Sequence, residues 1–297
     1  MLKYDRYVGI FCVCLILAVS LVVCSTTLAE DTQSASALGL SADAQYDESL
    51  YLESIFTRYQ PYLKNLGVYK PLYFLLGTNL SKSKFQISFK YKFYNPVKKK
   101  SFENSFKEGF YFGYTQTSFW DLKSDSKPFD DTSYKPELFF LSSDLYTGSR
   151  KHTSVLLQLG YQHESNGKSE ENSRSTNHIY LEPNFIFYQE SSSFGLQIAP
   201  KIWTYVENSN ETNEDLCDYR GYFDLGVKMG YAEKLVVDSH FRSARKGNSY
   251  EINFTYPMNI NNIELYLNVQ YANALAESLI DYKNRTEALR IGFSFVR

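Results

Sequence analysis

A twelve-stranded antiparallel β-barrel spanning a bacterial outer membrane is the fold class this sequence predicts. Three observations lead there: an export signal at the N-terminus, an aromatic-rich chain with no second long apolar run, and a period-two alternation that recurs to the end. The signal comprises Lys3 and Arg6, an uncharged apolar run from Val8 to Cys24, and Thr27-Leu28-Ala29 ahead of Glu30, the pattern of a cleaved secretory peptide. Residues 1–29 are therefore expected to leave. The apolar run falls short of the roughly 20 residues a membrane anchor needs, and Val23 stands where a lipid anchor at Cys24 would want a small residue. With Cys12, Cys14 and Cys24 removed, Cys217 is alone, so no intrachain disulfide is expected.

Composition supplies the second observation. The 297 residues include 26 Tyr and 22 Phe, yet mean hydropathy is negative. Helical membrane proteins do not look like this, whereas a barrel alternates lipid-facing apolar with lumen-facing polar residues and carries aromatic girdles. A net charge of -2 gives no electrostatic reason to bind nucleic acid.

The third observation is the alternation itself. Phe85, Ile87, Phe89, Tyr91 and Phe93 interleave with Gln86, Ser88, Lys90 and Lys92, and the pattern returns from Tyr250 to Tyr256, from Ile263 to Tyr271 and from Leu289 to Phe295. Segments beginning near Lys70, Lys84, Gly109, Pro136, Thr153, Asn177, Ser193, Tyr219, Glu233, Ser249, Asn262 and Arg285 make twelve, an even number as bacterial barrels require. Connections alternate too. Short ones near Gly148, Ser191, Tyr231 and Asn259 are expected in the periplasm, and long ones over Asp121–Lys135, Asn166–Thr176, Val206–Asp218 and Asn273–Asn284 outside. Asn95 to Lys107, with Lys98-Lys99-Lys100, is long for a periplasmic turn and reads as a solvated basic loop. Residues 30–66 lack alternation and are expected to form a partly disordered periplasmic segment, leaving 67–297 as the barrel.

Parity then singles out three residues. His163 and Ser165 continue the greasy face of Val155, Leu157, Leu159 and Tyr161, and Asn177 shares the face of Ile179 and Leu181. Polar groups facing hydrocarbon cost free energy and mark function or contact. The hairpin returns Asn177 to the height of His163 near the external rim. A serine hydroxyl becomes nucleophilic when an imidazole takes its proton, and a third group must fix the imidazole's tautomer. An H-x-S with a distant Asn is unspecific by itself.

Specificity comes from several motifs in order. Gly160-Tyr161-Gln162-His163-Glu164-Ser165-Asn166-Gly167-Lys168-Ser169 with Ser173-Arg174-Ser175 and Asn177 resembles the active-site signature of the outer membrane phospholipase A family. Tyr114-Thr115-Gln116-Thr117-Ser118-Phe119-Trp120, Tyr134-Lys135-Pro136-Glu137-Leu138-Phe139 and Glu277-Ser278-Leu279-Ile280-Asp281-Tyr282 are similar to its other motifs. The resemblance runs from about Tyr69 to the end. It implies a calcium-dependent, dimeric enzyme that hydrolyses sn-1 and sn-2 acyl esters of phospholipids and lysophospholipids at the outer leaflet. By motif position Ser165 would be nucleophile, His163 base and Asn177 the orienting group. One Ca2+ per active site of the homodimer would be held by the Ser173 hydroxyl and Lys168 carbonyl, with Ser126 from the other subunit; oxygen ligands suit this hard cation.

The sequence departs from that pattern at Lys168, where arginine is usual, at Thr176, at Glu170-Glu171-Asn172 and at the terminal Phe295-Val296-Arg297. Gln116 shares the lipid-facing parity of Phe110, Phe112 and Tyr114 and is the expected dimer contact, an amide wanting a partner in hydrocarbon. His152, His178 and His240 read as turn or lumen residues, and Asp121, Asp125, Asp130 and Asp131 as a solvated acidic loop. The competing reading is a passive pore or adhesin. Lys90, Lys92, Tyr222, Lys228 and Tyr266 are the side chains expected to pack a lumen of this size.

Overall fold

Period-two alternation becomes architecture when each strand buries its polar parity in a common lumen and leaves its apolar parity outside. The computed structural model describes residues 63–94, 109–146, 152–208 and 212–297. In chain order the strands are β1 (Leu66–Val68), β2 (Leu72–Gly77), β3 (Ser83–Lys92), β4 (Phe110–Trp120), β5 (Phe129–Leu141), β6 (Thr153–Ser165) and β7 (Ser175–Gln189). They continue with β8 (Phe194–Asn208), a short helix α1 (Leu216–Arg220), β9 (Phe223–Tyr231), β10 (Val236–Ala244), β11 (Gly247–Ile260), β12 (Ile263–Leu275) and β13 (Arg285–Val296). Every neighbouring pair is antiparallel, and β13 closes on β2 through pairs such as Ile291 with Leu76.

The thirteen strands make twelve staves. β1 and β2 lie end to end along β3, with Leu66 opposite Tyr91 and Tyr73 opposite Gln86. Between them Pro71 has no N–H to give the ladder. Side chains stitch the break: the Lys70 N–H donates to Ser88 Oγ at 3.2 Å and Gln86 Nε2 to the Pro71 carbonyl at 2.8 Å. The first stave thus begins at Leu66, one residue before the expected boundary. The expected signal peptide, most of the 30–66 segment, the Lys98-Lys99-Lys100 loop and the turn at Gly148 lie outside the described residues.

Outward residues are apolar and open to lipid, as Leu138 at 54 % and Ile291 at 50 % exposure illustrate. Inward ones are polar and buried, Lys84, Glu137, Gln270 and Arg290 among them. Lys84 Nζ lies 3.0 Å from Glu251 and 3.1 Å from Glu277, and Arg290 grips Glu277 at 2.7 and 3.1 Å. Buried charge is tolerated only when paired in this way. Aromatic pairs mark both rims, Trp120 with Phe74 and Phe129 at one and Phe194 with Tyr231 at the other.

Element boundaries differ from expectation in three places. β5 starts at Phe129 rather than near Pro136, because Asp130, Asp131, Thr132 and Ser133 carry no hydrophobic alternation although Asp131, Thr132 and Ser133 pair with Phe119, Ser118 and Thr117. β9 starts at Phe223 rather than Tyr219, since Leu216–Arg220 coil into α1, whose single turn is too short to announce itself by period. The β10–β11 connection at the rim of the long loops is only Arg245-Lys246, and Gly247 at φ 142 closes it.

Candidate active site

The site sits where β6 and β7 reach the rim of the long connections. β6 pairs with β7 without interruption there: His163 is opposite Asn177, Glu164 opposite Thr176 and Ser165 opposite Ser175. His163, Ser165 and Asn177 are half-buried on the outer wall, as parity predicts, beside exposed Tyr161 and Ile179. On the far side of β7 the ladder slips between Asn177 and His178, whose partners are Glu207 and Tyr205. Val206 of β8 is the extra residue, a bulge that bends β8 beside Asn177.

His163 Nδ1 lies 2.8 Å from Asn177 Oδ1, and the Tyr161 hydroxyl donates to the same oxygen at 2.9 Å. An amide oxygen only accepts, so Nδ1 carries the proton and Nε2 is left as the basic nitrogen. Two donors fill both lone pairs of Oδ1, which pins the amide. Ser165 lies two residues along the same face, a rise of about 7 Å in Cα position. Among the described residues no hydrogen bond joins Ser165 to His163, the open geometry common to catalytic pairs before substrate arrives.

Beyond Ser165 the chain turns through a loop stapled by one buried side chain. Asn166 Nδ2 donates to the Asn172 carbonyl at 2.9 Å, and Oδ1 accepts from the N–H of Lys168 at 3.3 Å and of Arg174 at 3.0 Å. Gly167 takes φ +66, and a Cβ there would lie 3.0 Å from the Tyr134 ring. The Lys168 ammonium reaches the Asp130 carbonyl. Among the described residues no hydrogen bond engages the Lys168 carbonyl or the Ser173 hydroxyl, so two hard oxygen donors stand on one preorganised loop. Oxygen donors of this kind suit a hard cation such as calcium. Ser126 is exposed on the β4–β5 turn, whose form comes from Asp121: its carboxylate accepts from the N–H groups of Lys123 and Ser124 and from the Ser124 hydroxyl. The acidic residue here builds the turn.

Gln116 faces outward as expected, yet its amide is already engaged within the chain. The Tyr114 hydroxyl donates to Oε1 at 3.1 Å and Nε2 donates to Ser118 Oγ at 3.2 Å. Each end of the amide can make one further bond. His178 is buried in the lumen among Tyr180, Trp203 and Tyr205, and His240 holds Asp224 at 2.8 Å. Neither touches the wall site. Sequence reading missed the roles of Tyr161 and Asn166. Tyr161 has the parity of His163 one step back, which is the signal for the first; Asn166, directly after Ser165 and placed for an Asx turn, is the signal for the second.

A closed twelve-stave antiparallel barrel with an apolar exterior and an ion-paired interior is a transmembrane barrel of the bacterial outer-membrane class. The chain belongs to the phospholipase A1 family, whose model matches residues 60–295. It is 31 % identical over 225 residues to a putative phospholipase A1 of Neisseria meningitidis serogroup B, covering 72 % of this chain and 54 % of that protein. To phospholipase A1 of Escherichia coli K12 it is 32 % identical over 185 residues, 60 % of this chain and 59 % of that one. The matched regions thus span little more than half the length of these relatives. Among solved structures, Escherichia coli outer membrane phospholipase A superposes with a TM-score of 0.63 at 23 % identity, over 78 % of this chain and 91 % of that one. The Salmonella typhi outer membrane phospholipase dimer with bound calcium gives 0.63 at 22 %, over 78 % and 92 %.

Proposed function

We propose that this chain is a phospholipase of the outer membrane that hydrolyses sn-1 and sn-2 acyl esters by a Ser165–His163–Asn177 mechanism. The observation that carries the reading is the 2.8 Å contact of His163 Nδ1 with Asn177 Oδ1 on the lipid-facing wall, two residues from Ser165. A soluble substrate would be served from the lumen or a loop; an outward trio meets an ester already in the membrane.

The steps follow from the tautomer. Ser165 Oγ attacks the ester carbonyl while His163 Nε2 takes its proton, and the carbonyl oxygen becomes an oxyanion. Collapse expels the lysophospholipid alkoxide, which receives that proton from His163, and leaves the acyl group on Ser165. Water then attacks the acyl-enzyme with His163 again as base, releasing the fatty acid and restoring the serine. Asn177 holds the imidazole through both half-reactions, but being neutral it stabilises the imidazolium less than a carboxylate would.

The Lys168 carbonyl and Ser173 hydroxyl, with Ser126 of the partner subunit, would hold calcium. When bound, the ion supplies positive charge toward the oxyanion. The backbone N–H of Gly167, which donates to no backbone carbonyl among the described residues, is the chain's own candidate donor to the same oxygen. Supporting this reading, a solved active-site mutant of the Escherichia coli protein replaces an asparagine with alanine, and the Salmonella typhi structure is a calcium-bound dimer.

The test is release of fatty acid from phospholipid by the refolded full chain, with calcium and with a chelator. Calcium-dependent release is expected. No release under either condition would return the chain to the pore or adhesin reading.

A further inference from the structure

Glu164 lies between His163 and Ser165 in sequence but points the other way, into the lumen, where it is 3 % exposed. Arg220, the last residue of α1, meets it in a fork: Nη1 to Oε2 at 2.6 Å and Nη2 to Oε1 at 3.4 Å. Lys135 of β5 stands 3.7 Å away on the other side. A carboxylate fixed here fixes the backbone that carries both catalytic side chains, since its Cα is bonded through one peptide to each.

The need for such a tie is visible in the β5–β6 ladder. Tyr134 pairs with Ser165 and Glu137 with Gln162, but at the intervening positions, Lys135 opposite Glu164 and Pro136 opposite His163, pairing is missing. Proline has no N–H to offer. On that flank the contact to β6 at this level is the Lys135 ammonium on Glu164, a side chain standing where the ladder pair is missing.

The segment that delivers Arg220 grips the second catalytic strand as well. Asn213 is buried and exchanges two hydrogen bonds with the backbone of Ser175: Nδ2 to its carbonyl at 2.9 Å and its N–H to Oδ1 at 3.3 Å. Ser175 is the residue opposite Ser165. Residues 212–220 are docked in turn on the β12–β13 loop through a small apolar core of Leu216, Ala276, Leu279 and Tyr282. The Tyr282 hydroxyl and the Lys283 ammonium, the latter at 3.0 Å, both reach Asp215.

We propose that Arg220 is a positioning residue for the wall site: through Glu164 it sets the placement of His163 and Ser165, so that docking of the α1 cap over the lumen is coupled to catalysis on the outside of the barrel. This rests on the phospholipase reading of the same trio. Small displacements are expensive in such a site, where an error of about 1 Å costs on the order of a hundred-fold in rate.

The experiment compares refolded wild type, Arg220→Gln, Arg220→Lys and the double variant Glu164→Met with Arg220→Met. The double variant removes both charges, because an apolar replacement of a buried pair keeps a protein folded where loss of one partner can unfold it. Folding is read from heat-dependent migration on a detergent gel, turnover from fatty-acid release, and nucleophile competence from the rate of Ser165 labelling by a fluorophosphonate. Arg220→Gln and the double variant should fold, lose roughly ten- to a hundred-fold in kcat with KM within about two-fold, and label correspondingly slowly. Arg220→Lys, which keeps the charge and one of the two hydrogen bonds, should fall between Arg220→Gln and wild type. Wild-type kcat in folded Arg220→Gln or in the double variant, or Arg220→Lys no better than Arg220→Gln, overturns the proposal. A wild type that neither hydrolyses nor labels refutes the phospholipase reading instead, and the two failures are thereby told apart.

Discussion

Asn177 Oδ1 receives two hydrogen bonds, one from His163 Nδ1 at 2.8 Å and one from the Tyr161 hydroxyl at 2.9 Å. The second bond holds the amide for the first. Asn177→Ala should therefore leave weak turnover, about a hundred-fold or more below wild type, since His163 still reaches the productive orientation part of the time. Tyr161→Phe removes only the supporting donor and should cost a few-fold in kcat with little change in KM. Steady-state kinetics on one phospholipid would check both, and a larger loss in Tyr161→Phe than in Asn177→Ala would invert the assigned hierarchy.

Asn166 is 4 % exposed and its side chain makes three hydrogen bonds across the loop that carries Lys168 and Ser173. Asn166→Ala leaves those backbone groups unsatisfied, a cost of about 1–3 kcal/mol for a buried group. The barrel staves do not depend on this loop. The variant should fold, yet need roughly ten-fold more calcium for half-maximal activity. A calcium titration identical to wild type would show that the staple does not organise the ligands.

The α1 cap carries a pH dependence of definite sign. Burial alone would push the Asp215 carboxyl up, but its hydrogen bonds with Tyr282 and Lys283 outweigh it and hold the carboxyl below the ordinary range. A group held lower in the folded state adds stability above its unfolded value, near pH 4, and loses it as pH falls through the folded value. Cap docking should thus be unchanged from neutral pH to about 5 and weaken progressively below about 4. In Tyr282→Phe the folded value moves back toward the unfolded one, so the pH-dependent loss should be smaller while still beginning at about pH 4. Nicking of the segment around α1 by an acid-active protease measures this; equal protection at pH 5 and pH 3 in the wild type would contradict it.

Gln116 retains capacity for one further bond at each end of its amide, although Tyr114 and Ser118 already engage it. A self-complementary contact across a two-fold axis then returns only about 0.6–2 kcal/mol, enough to bias pairing without making it permanent. If Ser126 of the partner subunit completes the calcium shell, calcium and dimerisation strengthen each other reciprocally. Cross-linking in detergent should give more dimer with calcium than with chelator in the wild type, and less of that difference in Ser126→Ala. A dimer fraction indifferent to calcium rules out the shared site.

How much of this was legible beforehand depends on the range over which each feature is encoded. Alternation such as Phe85, Ile87 and Phe89 against Gln86 and Ser88 is local, so the staves and the outward parity of His163, Ser165 and Asn177 could be read directly. The start of β5 could not, because Asp131 and Ser133 are polar on the lumen face and Asp130 and Thr132 are polar on the outer one, which erases the alternation. Glu164 with Arg220 is separated by 56 residues and has no local signature; only barrel closure brings α1 over the end of β6. The Pro136 gap was visible as a residue but not as a vacancy opposite His163, since register depends on turn lengths that the β5–β6 connection conceals.

The proposed chemistry stands on Ser165 as the nucleophile at the lipid-facing wall. Ser165→Ala removes one hydroxyl at the end of β6, so the refolded variant should migrate as a folded barrel and still show calcium-dependent dimer formation. Fatty-acid release from phospholipid, measured beside wild type with calcium present, should fall to background in the variant. Release at a rate near wild type would rule Ser165 out as the nucleophile.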